Sequence, residues 1–471
     1  MPTRTPPRTP TRTPTRTPTR IPEVPRTADE FVRAVERDGI EFVLAMFVNV
    51  DGRPCCKLVP AAAVPQLLTD GVGFAGHAVG SMGQSPADPD LVAVPDVTSY
   101  SVLPWRSGLA VVQCDPHVNG APWPYAPRVI LRQALAALAE RDLVLKVGAE
   151  PEYFLLRRTT EGGITVADPE DTGARPCYDA RGLGRSLDHV AEVSRALGRL
   201  GWGNYSNDHE DANGQFEHNF AYADALVTAD RVVVFRYLVQ MLAQDAGLIA
   251  TFMPKPFGHL TGSGLHLHLS LWDTAGGELF RDEQDARGLG ISALGYAFIG
   301  GILEHAPGVV GLTCPTVNSY KRLGARDTTA SGSSWAPTYA TYGGNNRTQL
   351  LRVPAPGRVE ARCVDSSANP YLAMAALLAA GLDGVERSVD PGPPNEADLE
   401  VSAAPQSGAP LPGTLAEAAE AVRRDAVLRA AFGKADQGEF VDFYAKLKHA
   451  EFAEYHRAVS AWEIDRYLTT V

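Results

Sequence analysis

What this chain lacks narrows the field first. It has no run of 18 apolar residues, so nothing in it is expected to span a membrane. Its six cysteines (Cys55, Cys56, Cys114, Cys177, Cys314, Cys363) form no CxxC pair, which argues against a zinc ribbon or disulfide scaffold and for reduced thiols in the cytoplasm. There is no P-loop GxxxxGK[ST] and no kinase-type glycine-rich set, so a nucleotide would have to bind in another way. Positive charge is also scarce: 43 Lys and Arg stand against 55 Asp and Glu, a net charge of −12. Five of those arginines fall in the first twenty residues, which contain no acid. The rest of the chain is at −17, which speaks against nucleic acid or an anionic membrane as a general partner.

The opening stretch, MPTRTPPRTPTRTPTRTPTR, is of low complexity. Proline every few residues prevents an amphipathic transit helix, and no apolar segment marks a secretory signal. Residues 1–26 are therefore expected to form a disordered tail. From Thr27, TADEFVRAVERDGI reads as a capped amphipathic helix. EFVLAMFVNVDG and CCKLVP read as a hairpin about an Asp-Gly turn, and two more strand-like runs follow. Residues 27–124 thus form a small α+β domain, closed by the Pro- and Gly-rich NGAPWPYAPR. Residues 125–471 alternate helical and strand patterns on the scale of a catalytic domain.

In GSGLHLHLS (262–270) His266 and His268 alternate with leucines. Period two is the strand signature, and it sets both imidazoles on one face and the leucines on the other. An HxH pair alone is common polar filler. Its weight comes from acids on other strand-like runs: Glu150 and Glu152 in GAEPEYF, Glu210 and Glu217 in DHEDANGQFEHNF, and Glu360 in RVEARCV. A carboxylate buried in a β core is costly unless it is paired or bound to a cation. Five such glutamates with a strand histidine point to a shared site for a hard cation, Mg²⁺ or Mn²⁺. Arg322, Arg347, Arg352, Arg358 and Arg362 lie in nearby segments, suited to clamp phosphates or carboxylates. Metal with arginines is a general recipe for phosphoryl transfer from ATP.

EPEYFL, NDHEDANGQFE, FMPKPFG, GSGLHLHLS, NSYKRL, NNR, RVEAR and ANPYLAMAALLAAGLDG, in this order, closely resemble the glutamine synthetase family from about Glu41 onward. The resemblance implies an α+β fold: a small β-grasp N-terminal domain, then a catalytic domain whose antiparallel strands form a partial barrel flanked by helices. It also implies a homo-oligomer of stacked rings, a dodecamer, with active sites between subunits. Glu150, His266 and Glu360 would hold a metal that bridges ATP phosphates, and Glu152, Glu210 and Glu217 a second one. Arg322, Arg362 and the backbone at Gly262 would grip L-glutamate beside Glu152. Arg347, Arg352 and Arg358 would face the phosphates, with His268 and Ser270 on the nucleotide side. Arg322, Glu360 and Arg362 would thus carry the chemistry: attack of the γ-carboxylate on ATP to give γ-glutamyl phosphate, then displacement of phosphate by an amine.

The departures from the family pattern are selective. Ammonia-using members resemble FDGSS where this chain has GFAGHAVGSM, which puts Ala75 in place of an aspartate. In GARDTTASGSSWAP, Trp335 stands where a glutamate usually precedes Ala-Pro, and Thr261 replaces an asparagine before Gly-Ser-Gly. All six metal positions remain. An apolar, aromatic amine pocket suits methylamine, ethylamine or ethanolamine, as in the γ-glutamylmethylamide synthetase-like, type III branch that these segments resemble. Asp327 is the one acid noted near the altered loop. Ala397 in NEADLE occupies the place of the family's adenylylated tyrosine. A glutamine-forming enzyme is the alternative. A catalytically silent relative would be expected to have lost metal ligands.

Overall fold

The alternation at 262–270 determines how the centre of the protein is laid out. In the computed structural model, which describes residues 23–323, 329, 333–400 and 408–470, this run forms the strand Leu265–Asp273. Leu265, Leu267, Leu269 and Leu271 are completely buried on its inner face, and His266 and His268 point to the other. The strand lies between the 16-residue strand Leu143–Arg158 and Arg358–Ala361, antiparallel to both. The sheet continues outward through Gln215–Asn219 and Ser206–His209 on one side, and through Leu351–Ala355 and Tyr342–Gly343 on the other. It curls into a nearly closed barrel flanked by helices, the expected α+β arrangement.

The N-terminal part is a separate mixed sheet. Thr27 caps the helix Ala28–Arg37 through its side chain, which accepts from the Glu30 amide. Phe42–Val48 and Pro54–Pro60 form the expected hairpin around Asp51-Gly52, and Phe42–Val48 also pairs in parallel with Leu109–Val118. Leu91–Pro95 and Val72–Phe74 complete this sheet.

Buried polar links join the two sheets. Arg128, 2% exposed, pairs with Asp96 (2.8 Å) and Asp115 (2.8 Å) of the N-terminal part and with Asp230 (2.9 Å) on the helix Ala225–Asp245. The Asn369 side chain caps the helix Pro370–Arg387 and donates to the Asn49 carbonyl (3.0 Å). Among the described residues no single helix is long and apolar enough to cross a membrane, and the apolar bent pair Ala293–Glu304 and Ala306–Thr313 packs in the core. All six cysteines are free thiols. Most of the N-terminal tail, and Asp327 with its neighbours in the altered loop, lie outside the described residues.

Candidate active site

Strand register builds the site. Glu150 lies opposite His266, His268 opposite Glu360, and Glu360 opposite Arg352. One residue pair along, Glu152 lies opposite Glu217, and Glu217 opposite Asp208. Like charges set directly across a β ladder repel, so a row of three acids needs a compensating cation or protons.

These rows open on a cavity of about 310 Å³. Its lining includes Glu150, Glu152, Glu210, Glu217, His266, His268, Thr261, Gly262 and Trp335, with Arg322, Arg347, Arg352, Arg358 and Arg362. Fourteen residues singled out in the sequence therefore converge on one space. Glu360 is fully buried behind the wall. Ser270 and Ala75 do not line the cavity. The Ser270 hydroxyl accepts from the Trp272 indole (2.9 Å), and Ala75 lies exposed in the N-terminal part.

The donor set fits divalent cations. Single donor atoms of Glu152, Glu210 and Glu217 lie within 4.8 Å of one another, and so do those of Glu150, Glu217 and His266, and of Glu150, His268 and Glu360. His266 Nδ1 faces Glu150 (3.7 Å), Glu152 (3.8 Å) and Glu360 (3.8 Å), too far for hydrogen bonds and near the separation of donors that share one ion. Burial, helped by Arg362, lowers the His266 pKa to about 4, so the ring is neutral at pH 7 with a lone pair to offer. His268 Nε2 sits 2.9 Å from Glu150, so both imidazoles face the acids.

The acids divide electrostatically into two groups. Burial raises Glu152 to about 7, against the pull of the Gly264 amide, Arg322 and Arg362. Burial and neighbouring carboxylates hold Glu210 and Glu217 well above the usual carboxylate range. Burial works the same way on Glu150, but the neighbouring His266 and His268 outweigh it and hold the group low. Glu360 is also buried, yet Arg362 leads the charges that bring it down to about 2. Its two oxygens pair with Arg362 and with Arg352 (2.6 Å).

Close backbone approach completes the frame. A Cβ on Gly264 would meet His266 Nε2 at 2.7 Å and Arg322 Nη2 at 3.0 Å, and one on Gly262 would meet the Pro254 carbonyl at 2.5 Å. Arg322 is 3% exposed and is aimed by the carbonyls of Cys363 (3.0 Å) and Arg362 (3.1 Å). Gln215, which the sequence reading missed, donates towards Glu152 (3.1 Å) and the Gly262 carbonyl (3.1 Å). The reading also missed Tyr178, Asp208 and Asp211, which line the cavity. Asp208 and Gln215 could have been found by the same period-two step that links Glu150 to Glu152.

Around Thr261 and Trp335 the wall is built from a few side-chain contacts. Thr261 Oγ1 lies within reach of Asp211 (2.7 Å) and the Ser333 carbonyl (3.0 Å). The Arg347 guanidinium is 5.7 Å from the centre of the Trp335 ring. Trp335 has φ of +45°, left-handed backbone that costs a bulky residue about 1 kcal/mol or more.

Comparison with known proteins agrees with this geometry. The sequence profile described as "Glutamine synthetase, catalytic domain" matches residues 124–467. The chain is 43% identical over 449 residues to the glutamate–methylamine ligase of Methyloversatilis universalis, covering 94% of this chain and 99% of that one. It is 44% identical to a glutamine synthetase of Rhizobium leguminosarum bv. phaseoli, covering 92% and 98%. A solved structure titled as a GmaS/ADP complex superposes with a TM-score of 0.87 at 46% identity, covering 93% of this chain and 99% of that one. A cavity of acids, imidazoles and arginines on this barrel, with relatives matched over nearly their whole length, shows that the chain belongs to the glutamine synthetase family and is a glutamate–amine ligase.

Proposed function

We propose that this ligase joins the γ-carboxylate of L-glutamate to a small alkylamine, namely methylamine, ethylamine or ethanolamine, with cleavage of ATP. Trp335 carries this reading: an indole lines the acid-and-arginine cavity at a position where a carboxylate would serve ammonium. An aromatic face attracts an alkylammonium and shields its methyl group from water. The methylamine-using relative, 43% identical across almost its full length, supports the same choice.

In this reading Glu150, His266 and Glu360 hold one Mg²⁺ or Mn²⁺ and Glu152, Glu210 and Glu217 a second. The bound cations would supply charge neutralisation for the triphosphate. Arg322 and Arg362 grip glutamate beside Glu152 and the Gly262 backbone. Arg347, Arg352 and Arg358 face the phosphates, with His268 on the nucleotide side. The γ-carboxylate attacks the γ-phosphorus, forming γ-glutamyl phosphate and releasing ADP. Neutral amine then attacks the acyl carbon, phosphate leaves, and the amine's extra proton passes to an acceptor. Arginines matter most in the first step, where carboxylate and triphosphate would otherwise repel each other.

A ring of stacked subunits, a dodecamer, is what the family resemblance implies. The exposed Ala75, outside its own chain's cavity, is consistent with the N-terminal part of one chain facing the cavity of the next. A cytoplasmic location fits the free thiols. The second reading is glutamine formation, favoured by the 44% identity to a glutamine synthetase. Phosphate release from ATP with glutamate and Mg²⁺ or Mn²⁺ tests both, run in parallel with ammonium, methylamine, ethylamine, ethanolamine and putrescine. A small alkylamine clearly outpacing ammonium is the expected result. Ammonium outpacing every alkylamine would leave glutamine synthesis as the activity.

A further inference from the structure

We propose that Glu400 is a positioning residue for the amine pocket, acting through Trp335. This rests on the reading of Trp335 given above. One oxygen of Glu400 accepts from two consecutive backbone amides, Ser334 (2.6 Å) and Trp335 (2.6 Å), and the Ser334 hydroxyl lies 3.2 Å away. These are the amides that enter the left-handed turn at Trp335. A charged acceptor on two successive N–H groups holds a backbone conformation that a tryptophan would otherwise leave.

Glu400 is itself braced. Leu399 is 3% exposed, and its amide donates to Thr348 Oγ1 (3.1 Å). The Ala397 carbonyl accepts from Asn346 (3.0 Å) and Gln349 (3.1 Å). All three partners belong to the segment that carries Arg347, whose guanidinium lies by the Trp335 ring. The frame closes on itself: Trp335 backbone to Glu400, Glu400 segment to the Arg347 segment, Arg347 to the Trp335 ring. The stretch around Ala397 thus serves here as the anchor of the pocket's aromatic wall.

The Arg322 contact with glutamate should be insulated from this frame, because Arg322 is aimed by the Cys363 and Arg362 carbonyls instead. Loss of the Glu400 acceptor should therefore act on the amine far more than on glutamate. The test is steady-state kinetics of the full-length enzyme with Glu400→Ala and Glu400→Gln, varying methylamine, ammonium, glutamate and ATP separately. For Glu400→Ala we expect KM for methylamine to rise at least tenfold and the methylamine-to-ammonium preference to fall by a similar factor. KM for glutamate should stay within about twofold. Glu400→Gln keeps an acceptor oxygen and should restore most of the preference. Thr348→Val loosens the brace from its other end and should shift the preference the same way by about threefold, which keeps the proposal testable if Glu400→Ala folds poorly. Unchanged preference in Glu400→Ala and Thr348→Val, or an equal loss with every substrate, would overturn it. A wild-type enzyme that prefers ammonium would instead overturn the alkylamine reading, and the positioning role would then stand or fall on KM for ammonium in Glu400→Ala.

Discussion

Glu217 stands directly opposite Glu152 on the neighbouring strand, carboxylate against carboxylate, in a row that Asp208 extends. Burial keeps Glu217 well above the ordinary range and holds Glu152 at about 7, so in the metal-free protein Glu152 is about half protonated near neutrality. A cation must displace those protons to bind.

Metal binding at pH 7 is therefore expected to release protons. Calorimetric titration with Mg²⁺ in buffers of different ionisation enthalpy measures this, and a binding enthalpy independent of buffer would contradict it. The folded pKa of Glu152 lies above its ordinary value, so its contribution to stability is fully present below about pH 4.5 and is lost as pH rises through about 7. The Tm of metal-free wild type should consequently fall by a few °C relative to Glu152→Gln between about pH 5 and pH 8.

Gly264→Ala should be far more damaging to activity than to folding. Its Cβ would press on His266 Nε2 and Arg322 Nη2, side-chain atoms that can yield but only by leaving their places in the site. We expect a loss of at least about 100-fold in kcat/KM, on the scale that misplacement of about 1 Å produces, with a modest drop in Tm. Retention of wild-type kcat/KM would show that neither side chain needs its present position.

Glu360→Ala and Arg362→Ala should each abolish phosphate release with every amine. Glu360 is fully buried and shared between Arg362 and Arg352, so its removal leaves two guanidiniums facing each other, at a cost of about 3–5 kcal/mol. Substantial turnover by either variant would sink the site assignment.

Trp335→Glu restores an acid beside the amine, and with Ala75→Asp it restores both missing carboxylates. The pair should shift preference from methylamine towards ammonium by about tenfold or more, read as the ratio of the two kcat/KM values. An unmoved ratio would mean that neither position selects the amine.

His305 offers a check remote from the site. Its Nδ1 meets Asp425 (2.7 Å) and its Nε2 meets Asp383 (3.0 Å), which also pairs with Arg387 (2.6 Å). The Asp425 hydrogen bond leads the effects that raise its pKa to about 9. A raised histidine stabilises fully below about pH 6.5 and loses that contribution as pH passes about 9. His305→Gln should lower Tm at pH 6 and converge on wild type near pH 10. A gap of constant size across that range would point to packing instead of charge.

The sequence exposed some of these elements more readily than others, for identifiable reasons. Leucine and histidine at period two, and Glu150 with Glu152 two apart, are visible because a strand facing core on one side must alternate. The helices Ala293–Glu304 and Ala306–Thr313 escaped notice because they are buried nearly all round and have no polar stripe to betray their period. NSYKRL is too short to display a helical period, yet Ser319–Leu323 is a short helix with Arg322 buried. Glu400 lies 65 residues from Trp335, and no local pattern records which carboxylate meets which amide. Gln215 and Asp208 were within reach, since each lies two residues from a glutamate already singled out.

The strand Leu265–Asp273 performs two tasks with one alternation, and this bears on how such an enzyme can change. Inserting or deleting a single residue there would exchange the faces, driving imidazoles into the core and presenting leucines to the acids. No point substitution elsewhere could repair both errors at once. Loops such as the one bearing Trp335 carry no such constraint, because their positions are fixed one contact at a time. A lineage built on this strand is thus free to exchange one amine for another, while length changes in the strand itself are closed to it.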